Sequence, residues 1–69
     1  MHIKEIKALA KLEPFRRFAI VFDSGRELIV ESDTELLFPK KQPNLVIAFA
    51  SGSHWIFEAE SVTALRNEN

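Results

Sequence analysis

Two histidines, ten carboxylates and nine basic side chains are the chemical stock of this chain, which has no cysteine and no tyrosine. Ser53 and His54 come nearest to a nucleophile beside its base. Neighbours on a strand point to opposite faces, however, so this hydroxyl and imidazole cannot share a proton. His54 reads as a half-exposed strand residue, and His2 lies near a terminus prone to fray. Neither histidine has a second histidine or a cysteine at ligand spacing, so no metal site is expected. Glu27 and Glu31 fall on one strand face, yet at about 3.3 Å per residue they stand about 13 Å apart, too far to act as a close carboxylate pair. Neither Ser24-Gly25-Arg26 nor Ser51-Gly52-Ser53 has the glycines or the lysine of a phosphate-cradling loop. The expectation is a non-enzymatic protein with no catalytic residue and no cofactor.

Binding chemistry has more support. Arg16, Arg17, Lys40 and Lys41 are candidate phosphate contacts, with Phe15 or Trp55 available to stack on a base as in single-strand binders. The formal net charge of −1 gives no overall attraction to nucleic acid. Its distribution is uneven: residues 1–17 carry five basic and two acidic groups, residues 18–38 one basic and five acidic, and residues 39–69 three of each. Such blocks are usually solvated faces, because exposed ion pairs contribute little.

The elements that position these residues can be read in order. With 46% hydrophobic and 28% charged residues, the 69-residue chain has the balance of one small globular domain. Residues 2–13 fit an amphipathic helix with Ile3, Ile6, Leu9 and Ala10 on one side and Lys4, Lys7 and Lys11 opposite, stopped by Pro14. The N-terminal stretch has no continuous apolar segment, so no secretory signal is expected. Leu45 to Ala50 is too short to span a membrane, and a cytoplasmic location follows as the default.

Residues 15–32 read as a hairpin. A three-residue loop, Asp23-Ser24-Gly25 with Gly25 left-handed, sets Phe22 opposite Arg26, Ile20 opposite Leu28 and Phe18 opposite Val30, and gathers the large residues on one face. A short strand over 35–38, a polar loop over 39–44, a second hairpin over 45–58 and a last strand over 62–65 complete the chain. IVFDSGRELIV (20–30) aligns without a gap on IAFASGSHWIF (47–57), which points to a second three-residue loop, Ala50-Ser51-Gly52. Leu45, Ile47, Phe49, Trp55 and Phe57 then share the inner face.

A helix followed by about five antiparallel strands, mainly β within an α+β class, is the order of elements in small SH3-like or Sm-like barrels. An open antiparallel sheet covered by the helix is the alternative. Both faces of the central strands are apolar, and one short helix cannot cover the second. A patch centred on Val21 and Ile29, or on Val46 and Ile56, is therefore the expected surface for a homo-oligomer or a protein partner, with RNA or DNA as the alternative partner and no membrane contact.

With these segments placed, the chain resembles a family of small uncharacterised bacterial proteins of similar length. Its members show an N-terminal helix, a Pro-Phe-Arg-Pro-Phe segment, a Ser-Asp-Gly-Arg turn and a closing Val-Thr stretch. Here Pro14-Phe15-Arg16-Arg17-Phe18 carries arginine at 17 where the family has proline. Asp23-Ser24-Gly25-Arg26 transposes the first two turn residues, and Val62-Thr63 matches. The resemblance implies a shared fold and carries no activity with it.

Overall fold

The computed structural model describes residues 1–50 and 52–68. One helix, α1 (Ile3–Ala10), precedes six strands: β1 (Phe18–Phe22), β2 (Glu27–Val30), β3 (Leu36–Leu37), β4 (Leu45–Ala50), β5 (Ser53–Glu58) and β6 (Val62–Asn67). Single 3-10 turns at Asp33–Glu35 and Ala59–Ser61 lead into β3 and β6. The strands form two antiparallel sheets, β2-β1-β6 and β3-β4-β5. The arrangement is mainly β with one helix, as expected, but with six strands in two sheets. Among the described residues no strand pairing joins the sheets into a closed barrel.

α1 buries Ile3, Ile6 and Ala10, with Leu9 packed against the same core. Its first turn is capped by the His2 imidazole, whose Nδ1 accepts from the Lys4 N–H at 3.2 Å. The terminal ammonium of Met1 donates to the carbonyls of Ala59 and Val62 at 3.1 Å each, which ties the start of the helix to the turn before β6. The helix is shorter than the expected 2–13. Lys11 already leaves helical geometry (φ −102°, ψ 7°), and Leu12 and Glu13 are exposed, so nothing apolar holds a further turn against the core.

The first hairpin has the expected register, with Phe18 opposite Val30 and Ile20 opposite Leu28. The Phe22 N–H donates to Arg26 O at 2.9 Å, the Gly25 N–H donates to Phe22 O at 2.8 Å, and Gly25 has φ +88°. That is a type I turn closed by a left-handed glycine. Phe18, Ile20, Phe22, Leu28 and Val30 are all buried.

The second hairpin departs from expectation. Ala50 pairs with Ser53, Ala48 with Trp55, Ile47 with Ile56 and Val46 with Phe57, so the connection is one residue shorter than a three-residue loop. The expected loop includes Ser51, which lies outside the described residues. The alignment with residues 20–30 is therefore not repeated in the strand register. Because side chains alternate, the one-residue difference turns β4 over. Val46, Ala48 and Ala50 face the core, while Leu45, Ile47 and Phe49 face outward. The reason is complementary size on the inner face, where Ala48 stands opposite Trp55 and Val46 opposite Phe57. The large residues of β5 fill the space that large residues of β4 would need.

Candidate functional site

Two apolar surfaces emerge from this register, and β5 contributes to both. On its inward side, Trp55 stacks on Phe22 at 5.8 Å between ring centroids with an interplanar angle of 13°. Phe57 meets Phe22 edge-on at 4.8 Å. The Arg26 guanidinium lies 4.8 Å from the Trp55 ring, within cation–π range. These four residues, with Asp23, Ser24 and Ser61, line an open groove of about 350 Å³.

The groove is positioned by the junction of the first turn with the last strand. Pairing of β1 with β6 shifts between Val21–Ala64 and Phe22–Val62, leaving Thr63 as the extra residue of a bulge. Its hydroxyl donates to the Asp23 carboxylate, and the Asp23 N–H donates to Ser61 O at 2.9 Å. Asp23-Ser24-Gly25-Arg26 and Val62-Thr63, which read as structural punctuation along the chain, thus meet at one rim.

On the outward side, Leu37, Ile47 and Ile56 stand abreast across β3, β4 and β5. Phe49 lies two residues along β4 from Ile47, and the His54 imidazole packs edge-on against its ring at 5.1 Å. Ile56 is 67% exposed, Leu37 52% and Phe49 39%. Among the described residues four large hydrophobic side chains are exposed, and of these only Leu12 lies elsewhere.

Of the residues expected to form an interaction patch, Val46 is fully buried and belongs to the core. Its expected companion Ile56 lies on the opposite face of the same sheet, so the two form no common surface. Val21 and Ile29 are half-buried on the outer face of the first sheet. That face has a cover the sequence did not disclose. Arg66 of β6 and Glu27 of β2 flank β1 and reach each other across it, with contacts of 2.6 and 3.3 Å, beside Ala19 and Val21. Arg66 also holds Glu68 at 2.8 Å. Hydrogen bonds from Arg66, then its charge, hold the Glu27 carboxyl below its ordinary range. The Arg66 guanidinium is stabilised in turn, with Glu27 and Glu68 raising its pKa.

The basic candidates differ in what they touch. Arg17 is engaged by Glu31 at 3.4 Å and by the Glu68 carbonyl at 3.3 Å. Arg16, Lys40 and Lys41 are exposed, and no hydrogen bond or ion pair among the described residues links the four. Phe15 leans on Phe18 at 6.0 Å instead of presenting a free ring. Among the described residues, no group of three His, Asp or Glu side chains is arranged to hold a metal ion, and no helix is long and apolar enough to cross a membrane. No protein-family model, no curated protein and no solved structure matches the chain.

Proposed function

We propose that the protein is a non-enzymatic interaction module that associates with a second copy of itself through the outward face of β3, β4 and β5. The observation that carries this reading is the row Leu37, Ile47 and Ile56, with Leu37 and Ile56 exposed and Ile47 half-buried between them, and the exposed Phe49 beside it. Exposed apolar side chains are ordinary when scattered; three of four gathered on one sheet face make a patch. The face has no charge at its centre, with Glu58 only at the end of β5, so an identical face is complementary to it across a twofold axis. Strands about 4.8 Å apart, with two residues in β3 and six each in β4 and β5 at about 3.3 Å per residue, give a footprint of roughly 220 Å². A standard interface buries about 800 Å² per partner, so the contact belongs to the weak, concentration-dependent class.

Sedimentation velocity over a micromolar to millimolar range tests the proposal. The expected result is a reversible monomer–dimer equilibrium that Ile56→Lys abolishes while the far-ultraviolet circular dichroism stays unchanged. A monomer at the highest concentration would overturn it.

The strand order, with a 3-10 turn before the last strand, supports an SH3-like or Sm-like assignment of the fold. Membership of the small bacterial family suggested by the hairpin and Val-Thr motifs is likewise a proposal, and it adds no activity. A second reading, binding of RNA or DNA, is supported by Arg16, Lys40 and Lys41, which hold no carboxylate among the described residues. It requires retention on nucleic acid that falls steeply with salt, because phosphate contacts release counterions.

A further inference from the structure

We infer that the groove between Phe22, Trp55 and Phe57 is a second binding site, for the C-terminal residue of a peptide whose apolar side chain enters the groove while its α-carboxylate meets Arg26. This site is separate from the outward face, because Trp55 and Phe57 alternate with His54 and Ile56 along β5.

Charge selects the ligand. Arg17 and Arg66 each hold a carboxylate, whereas Arg26 holds none among the described residues and rests over the Trp55 ring at the mouth of the groove. A guanidinium has five N–H donors in a planar fork, and contact through its face leaves the edge of that fork open to a carboxylate. Contact with the ring restricts the arginine before the ligand arrives, which lowers the ordering cost of binding. Asp23 shares the rim, with its carboxylate receiving the Thr63 hydroxyl. That negative charge disfavours a doubly charged phosphate and leaves a single carboxylate as the better match.

Size and spacing narrow the choice further. About 350 Å³ is at the lower end of the range of ligand sites, enough for one side chain and its terminal group. The guanidinium lies 4.8 Å from the ring it covers, so the ligand's carboxylate and apolar group must also be close together. In an extended peptide, neighbouring side chains point to opposite faces and next-but-one residues are about 6.6 Å apart. A C-terminal residue carries both groups on one Cα, which makes it the most compact source.

The test is titration of the ¹⁵N-labelled full chain with N-acetyl-Gly-Phe, its C-terminal amide and N-acetyl-Gly-Gly. The free acid of the phenylalanine peptide is expected to shift the Trp55 indole N–H and the amides of Gly25 and Arg26. The amide and the glycine peptide are each expected to bind about tenfold more weakly. Arg26→Gln, a change at an exposed position, should keep the folded spectrum and remove the preference for acid over amide. The proposal fails if no resonance moves at millimolar peptide, if acid and amide bind alike, if Arg26→Gln leaves the preference intact, or if an oligothymidylate shifts the same resonances more strongly than the peptide acid. Shifts confined to Ile47 and Ile56 would also overturn it, without bearing on self-association.

Discussion

Gly25 and Glu27 show how much a single residue decides here. Gly25 has φ +88° and Gly52 φ +75°, and a Cβ added at either would meet nothing within 4 Å. Any cost of alanine is therefore conformational, and we expect Gly25→Ala and Gly52→Ala each to lose about 1–2 kcal/mol in urea unfolding. Larger losses would mean that the turns carry contacts absent from this structure. Glu27 provides a pH signature. Its carboxyl is held low by Arg66, so its contribution to stability is present above the ordinary carboxylate range and is lost as the pH falls through the lowered folded value. Both side chains are about half exposed, at 50% for Arg66 and 42% for Glu27, and solvent screening keeps the effect small. Glu27→Gln should flatten the acid limb of the stability curve, and the flattening should disappear in an Arg66→Gln background.

At the scale of elements, the two hairpins separate what residue patterns specify from what they leave open. Ile56 projects outward and Ala48 inward against Trp55. Ile56→Thr is therefore expected to change stability by less than about 0.5 kcal/mol, whereas Ala48→Leu should cost about 1–3 kcal/mol by overpacking. Thermal melts would instead find both variants close to the parent if β4 had the register that puts its largest residues inside, because Ala48 and Ile56 would then both face outward. The first hairpin was legible because only one register placed a glycine at the left-handed position and all the large residues on one side. β4 offered no such asymmetry, since Leu45, Ile47 and Phe49 are apolar on one face and Val46, Ala48 and Ala50 on the other. Choosing the larger set as core ignored what stood opposite. Register is weakly specified where both faces are apolar, and cross-strand partners then decide it. The candidate site was hidden for a related reason. Trp55 and Arg26 were visible as single residues, but the groove depends on the last strand bringing Thr63 to Asp23, a contact no local pattern encodes.

For the molecule as a whole, the Cα radius of gyration is 10.9 Å, against about 11 Å for a compact chain of this length. Among the described residues no arm extends from the body, and the faces and the groove are the surfaces they offer for recognition. A domain this small has a total stability of roughly 3–10 kcal/mol. Ile6 is fully buried where α1 enters the core, and Ile6→Ala is expected to remove about 2–5 kcal/mol of it. Calorimetry should accordingly find the variant partly or wholly unfolded at 37 °C. The placement of β1 between β2 and β6 adds a consequence for assembly of the chain. β1 can acquire its first neighbour from the adjoining hairpin, but its other edge stays open until residues 62–67 reach back to pair with residues 18–22. Such distant pairing slows folding, and while it is incomplete the vacant edge is a template for any extended segment that encounters it. The last strand is in effect a built-in competitor against foreign strands, and a chain truncated before Val62 should recover its fold when that strand is supplied as a separate peptide.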